Sequence, residues 1–281
     1  FGSRHFDSNK SQQISSKNPS RNNQVMARTA FNGLASGAHA MQTFPNAYSV
    51  AASPPWAAPK APEVSAMDEL RRAVNEEDWA MNFEEGLTKI QMRAEWSASE
   101  DRCALLQWLV KSTQAKRVLE IGSFCGVGSL AIAEALHDGE LVAMELDPFV
   151  VNFGKRFGGN TLRHVHTVMG PARESLEGLC ASNTKAFDLV IIDADKESMC
   201  DYFQMLWKTP GMLSPTAVVA VDMTPFKGQP PLRFVKFGFP YRCETSSGEK
   251  QINDLRNLVQ KSPEFSSHEF GGLLIVEKAT K

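Results

Sequence analysis

The chain has 281 residues, of which 42% are hydrophobic and 22% charged, enough to bury one sizeable core in preference to two small ones. Its formal net charge of -2 and pI near 6.4 offer no basic face for phosphates, so small-molecule chemistry is expected and a nucleic-acid partner is not. Five cysteines, Cys103, Cys125, Cys180, Cys200 and Cys243, never fall in a CxxC pair, and no apolar run reaches the roughly 20 residues of a bilayer span, so a reducing compartment is expected, with no disulfide framework, structural zinc or membrane anchor.

From Phe1 to about Pro62 the chain is rich in Ser, Asn, Gln, Ala and Pro without apolar periodicity, which predicts a disordered tail over residues 1–65 ahead of a folded domain over 66–281. Arg4, Lys10, Lys17, Arg21, Arg28 and Lys60 stand there against Asp7. That acid-poor bias has the character of an organelle transit peptide, which would direct the protein to a plastid. A linker fits equally, since the chain begins at Phe1, and would leave the protein in the cytoplasm; secretion is not expected.

From Met67 the pattern alternates. Asp68–Lys89 and Glu100–Ser112 carry apolar residues at helical spacing. Arg117–Ile121 is a short β-branched run, followed by a glycine turn and the alanine-rich helical stretch Ser129–Leu136. Apolar runs at Leu141–Leu146, Val165–Val168, Phe187–Ile192 and Ala217–Val221 then alternate with helical candidates Val150–Phe157, Arg173–Cys180 and Ser198–Trp207. This rhythm predicts an α/β fold with a doubly wound, mostly parallel sheet. A Pro/Gly-rich stretch from Pro225 to Gly248 precedes a helix at Gln251–Gln260 and a last strand at Leu273–Glu277.

In such a sheet ligands bind beyond the carboxyl ends of the strands. Glu120-Ile121-Gly122-Ser123-Phe124-Cys125-Gly126-Val127-Gly128 lies there. The glycines do not follow the GxGxxG order of a nicotinamide-binding loop, which disfavours an oxidoreductase. An acid, Glu120, precedes the loop, and a second, Glu145, closes the next strand, where a carboxylate can accept both ribose hydroxyls. Two acids and an open loop suit a positively charged nucleoside without phosphate. Asp193 alone would be read as a helix cap; with Asp195 and Lys196 beside it at a strand end, a functional role is the better reading. His164 and His166 alternate along a strand and are read as structural.

Leu119-Glu120-Ile121-Gly122 with Gly126, Met144-Glu145, Gly170-Pro171-Ala172 and the run Phe187 to Lys196 together resemble the cation-dependent O-methyltransferase family, which includes catechol and caffeoyl-CoA O-methyltransferases. The similarity runs from about Trp79 to Lys278, and Glu77-Asp78-Trp79 and Tyr202-Phe203-Gln204 are similar to the mycosporine-biosynthesis branch. The resemblance implies a class I, Rossmann-like methyltransferase domain with a seven-stranded sheet, S-adenosylmethionine as cofactor, and a homodimer as the usual assembly. It implies Glu120, Gly122 and Ser123 on the methionine and loop side, with Gly126, Gly128 and Ser129 in the same loop. Glu145 would bind the ribose, Ala172 the adenine, and Asp193 and Asp195 the amino-acid end.

On the acceptor side the resemblance implies Asp193 and Asp222 as ligands of a divalent cation such as Mg²⁺, with Lys196 as general base. The family's third ligand, an asparagine, is replaced by Met223, a poor partner for a hard cation. Two readings therefore stay open: a metal completed by water, Thr224 or substrate oxygens, or metal-free chemistry on an acidic acceptor. Met199 replaces an aromatic residue and Arg102 a glycine of the family pattern. Pro225–Gly248, with Phe226, Phe234, Phe237, Phe239 and Tyr241, is expected to cover the acceptor. The acceptor itself is expected to be a small catechol-like, phenolic or cyclohexenone compound. A non-catalytic cofactor-binding module within a fusion is the competing reading.

Overall fold

The computed structural model describes residues 64–157, 161, 165–182, 184–225 and 248–279. The expected tail, His164, Cys243 and the five aromatic residues of the covering loop lie outside the described residues. Chain order gives α1 (Ala66–Glu76), α2 (Trp79–Glu84), α3 (Glu100–Ser112), β1 (Arg117–Ile121), α4 (Val127–Leu136), β2 (Glu140–Glu145), α5 (Pro148–Lys155) and β3 (Val165–Met169). It continues with α6 (Ala172–Ala181), β4 (Phe187–Ile192), α7 (Met199–Lys208), β5 (Leu213–Asp222), α8 (Glu249–Lys261), β6 (Phe265–Phe270) and β7 (Leu273–Lys278).

The strands form one seven-stranded sheet in the order β3-β2-β1-β4-β5-β7-β6. The first five run parallel, and β7 lies antiparallel between β5 and β6. Successive side chains of a strand point to opposite faces. Leu119, Ile121, Val190, Ile192, Val219 and Val221 therefore pack on one face with residues of α6, α7 and α8. Val118, Leu189, Ile191, Val218 and Ala220 pack on the other with α3 and α4. Such strands, buried on both faces, read as continuous apolar runs, which is why the sheet's centre is legible in the sequence.

Two elements depart from expectation. The first helix does not run from Asp68 to Lys89 but breaks after Glu76, where Glu77 is extended (ψ 137°) and the Asp78 carboxylate accepts from Met81 N at 3.0 Å. Asp78 thus caps a new helix, and Trp79 folds back so that its indole N–H donates to the Val74 carbonyl at 2.8 Å. Strand β6 was not expected from pattern, because Phe265-Ser266-Ser267-His268-Glu269-Phe270 lies at the sheet edge with little of it buried. Its pairing with β7 is set by Gly271 and Gly272, both at positive φ (56° and 77°), the requirement of a tight two-residue hairpin.

Candidate functional site

Register brings the candidate residues to one edge of the sheet. Ile121 pairs with Met144 on one side and Ile192 on the other, and Ile192 pairs with Val221. The next residues are Gly122, Glu145, Asp193 and Asp222, so four strand ends open onto one crevice. The peptide N–H groups of Gly122 and Ser123 both donate to the Met144 carbonyl, at 3.0 and 3.1 Å, and Asp193 N donates to the Ile121 carbonyl at 2.9 Å.

Glu120 occupies a core-facing position between the sheet and α4, and is only 4% exposed. Gly128 makes room for it, since a β-carbon there would lie 2.8 Å from Glu120 Oε1, and the Ser129 hydroxyl donates to Oε2. Burial raises the Glu120 pKa to about 8, opposed by the Ser129 hydrogen bond and reinforced by the charges of Asp193 and Glu145. Gly128 and Ser129 thus serve the buried acid directly. Gly126 takes φ +86° as the residue before α4, and Phe124 also adopts a left-handed conformation (φ 49°).

The Glu145 carboxylate is fixed by three peptide N–H groups: Phe124 at 2.8 Å on one oxygen, Leu146 at 2.8 Å and Asp147 at 3.1 Å on the other. Burial raises its pKa against the pull of those bonds. Gly170 N donates to the Glu145 backbone carbonyl at 2.9 Å, which sets Pro171 and Ala172, the first residue of α6, beside the same strand end. Ser123 is partly exposed on the loop.

Asp195, and not Asp193, performs the capping role: its Oδ2 accepts from Ser198 N at 2.8 Å and its Oδ1 from the Tyr202 hydroxyl at 2.6 Å. Burial works against its ionisation, but these bonds outweigh it and hold the carboxyl below the usual range. No described residue donates to the Asp193 carboxylate. Burial by the surrounding protein pushes its carboxyl up, the like charge of Asp222 adds to the shift, and Lys196 and Arg102 oppose it.

Asp222, 6% exposed, accepts four donors. Arg102 Nη2 (2.7 Å) and Thr224 Oγ1 (2.9 Å) reach Oδ1, while Lys196 Nζ (2.7 Å) and Thr224 N (3.2 Å) reach Oδ2. Lys196 Nζ also donates to the Asp222 backbone carbonyl at 2.8 Å. A carboxylate has about four lone-pair sites, so this one is saturated, with two cations among its donors. Met223 is 7% exposed and packs in the core with Met199 and Ile252. Among the described residues no group of three or more His, Cys, Asp or Glu is arranged to hold a metal. With its lone-pair sites taken by these donors, two of them cations, the Asp222 carboxylate as arranged leaves no site for a divalent cation.

Two contacts were not anticipated from the residue pattern. Arg102 reaches Asp222 across 120 residues of chain, a pairing that pattern alone cannot reveal. An aromatic cluster supports the glycine loop: Trp79 stands 5.3 Å from Phe124 and 5.4 Å from Phe153, ring centre to ring centre. Its signal was the unusual density of Trp and Phe flanking the loop.

The α/β fold is shared with solved structures: the O-methyltransferase TomG from Streptomyces achromogenes, solved in complex with SAM, superposes with a TM-score of 0.56 at 23% identity, covering 76% of this chain and 91% of that one. A family profile described as O-methyltransferase matches residues 70–229, and the chain belongs to that family. Among relatives, catechol O-methyltransferase domain-containing protein 1 of Mus musculus is 27% identical over 186 residues, 63% of this chain and 68% of the mouse protein. Caffeoyl-CoA O-methyltransferase 1 of Zea mays is 30% identical over 157 residues, 53% of this chain and about half of its own length (54%). Among the described residues no helix is long and apolar enough to cross a membrane.

Proposed function

We propose that residues 66–281 form a catalytic domain that transfers a methyl group from S-adenosylmethionine to a hydroxyl of a small catechol-like, phenolic or cyclohexenone acceptor. The observation that carries this reading is the alignment of Gly122, Glu145 and Asp193 at neighbouring strand ends, with Gly122 pressed against the Asp193 backbone. Glu145 would take the ribose, Gly122, Ser123 and Gly126 the loop side, Ala172 the adenine, and Asp193 with Asp195 the ammonium end. Glu120, Gly128 and Ser129 lie behind the loop and would support it. A cluster of acids suits a ligand carrying sulfonium and ammonium charges, whereas a pyrophosphate would be repelled.

Methyl transfer is an in-line displacement, so the domain has to align the acceptor oxygen with the methyl carbon and exclude water. Asp193 and Lys196 border the acceptor side. Two of the three Lys196 donors are spent on Asp222, leaving one for an acceptor oxygen. Calorimetry with S-adenosylmethionine, followed by mass spectrometry of products from catechols, caffeoyl esters and cyclohexenone enols, tests the proposal. Cofactor binding with a methylated product is expected. Binding without turnover on any acceptor would leave the chain a cofactor-binding module, and no binding would end the reading.

A further inference from the structure

The resembled family uses a divalent cation where Asp222 stands, and here the Asp222 carboxylate is saturated by Arg102, Lys196 and Thr224. Arg102 occupies the third position of α3, where the family pattern has glycine. Its side chain is 16% exposed, it commits Nη2 to Asp222 at 2.7 Å, and its Nη1 is buried with no hydrogen-bond partner among the described residues. A buried guanidinium nitrogen without an acceptor carries a desolvation cost that no described residue offsets. Room for the group comes from Gly272, where a β-carbon would meet Arg102 Nη2 at 3.4 Å and Thr224 Oγ1 at 3.5 Å. The hairpin glycine thus lets the guanidinium lie across the end of β5.

We propose that the Arg102 guanidinium takes the place of the divalent cation, and that its unpaired Nη1, together with Lys196 Nζ, binds the acceptor as an oxyanion. The inference rests on the methyltransferase reading and specifies its substrate class. Guanidinium is a permanent cation with donors in a fixed fork, suited to a planar oxyanion. Neither it nor a lysine already donating to Asp222 removes a proton. The acceptor must therefore carry a hydroxyl acidic enough to have lost its proton to water before binding, as in an enolised 1,3-dicarbonyl ring or an acidic phenol. In the transfer an oxyanion lone pair forms the C–O bond, the C–S pair returns to sulfur, and anion plus sulfonium become neutral ether plus neutral thioether. Arg102 and Lys196 keep their protons throughout.

The full chain, Arg102→Met, Arg102→Lys and the double variant Arg102→Gly/Met223→Asn decide this. Mn²⁺ titrated into the wild type and followed by electron paramagnetic resonance should remain free, while the double variant should take it up. Binding of the enolate of 5,5-dimethylcyclohexane-1,3-dione, measured by calorimetry with S-adenosylhomocysteine present, should weaken by roughly tenfold or more in Arg102→Met, as loss of a charged hydrogen bond requires, and be partly restored in Arg102→Lys. Stoichiometric Mn²⁺ uptake by the wild type, abolished in Asp222→Ala, would overturn the proposal. So would equal enolate binding in wild type and Arg102→Met, including none in either. S-adenosylmethionine affinity separates the two levels: its absence in the wild type sinks the methyltransferase reading, whereas its retention with Mn²⁺ uptake sinks only the role of Arg102.

Discussion

A β-carbon on Gly122 would lie 2.2 Å from the carbonyl oxygen of Asp193 and 2.8 Å from its carbonyl carbon. The loop after β1 and the segment after β4 are thus in direct backbone contact, and Gly122 also holds φ +90°. Both the clash and the left-handed conformation count against any side chain there. Gly122→Ala should lower stability by about 2–4 kcal/mol and weaken S-adenosylmethionine binding. Urea unfolding with and without cofactor measures both, and an unchanged midpoint would show that the two segments move independently.

Glu120 supplies a pH test. Its folded-state pKa of about 8 lies above the ordinary carboxyl value, so the fold binds this proton more tightly than the unfolded chain does. Stability should then be fully present below the unfolded pKa, fall as pH rises through the window between the two values, and level off above about pH 8. At about 1.4 kcal/mol per unit, the loss amounts to a few kcal/mol. Glu120→Gln removes the titrating group while keeping its shape, so its stability curve should be flatter and lie above the wild type on the alkaline side. Parallel urea curves for the two proteins would show that Glu120 does not titrate in this window.

Much of this architecture was legible because parallel strands buried on both faces leave continuous apolar runs. Phe187–Ile192 was read with its observed bounds, and β1 likewise. Edge strand β6 was not, since its exposed Ser, His and Glu carry no core signal. Gly122, Glu145 and Asp193 were found through their positions at strand ends, and Asp222 through the family resemblance. The partners that fix their roles were less accessible: the capping role fell to Asp195 in place of Asp193, and Arg102 reaches Asp222 only once α3 packs beside β5. Those are tertiary facts, set by packing between elements far apart in the chain.

The aromatic support of the loop gives a third test. Phe124 holds a left-handed backbone conformation without being glycine, a strain of about 1–2 kcal/mol that its contacts with Trp79 and Trp96 offset. Trp79→Ala should cost about 3–5 kcal/mol and release the loop, lowering cofactor affinity. Trp79→Phe keeps a ring against Phe124 but loses the hydrogen bond to the Val74 carbonyl, worth about 1 kcal/mol. Thermal melts and calorimetry on the pair should therefore rank Ala well below Phe in both stability and affinity. Equal affinities would detach the cluster from the cofactor side.

Tyr202 and Asp195 distinguish a positioned carboxylate from a merely nearby one. Asp195 spends one acceptor site on Ser198 N and one on the Tyr202 hydroxyl, which fixes its plane and leaves its remaining lone pairs for a ligand. If it holds the ammonium end of the cofactor, Asp195→Asn removes a charge-assisted bond of about 1.5–3 kcal/mol, and affinity should fall by roughly tenfold or more. Tyr202→Phe leaves the charge and removes only the restraint, so its effect on affinity should be smaller, with a loss of about 1 kcal/mol in stability. Calorimetry with S-adenosylhomocysteine, which keeps the ammonium and lacks the sulfonium charge, should give the same ranking as S-adenosylmethionine. If Asp195→Asn binds both ligands as tightly as wild type while Asp193→Asn does not, the ammonium belongs to Asp193, whose carboxylate no described residue engages.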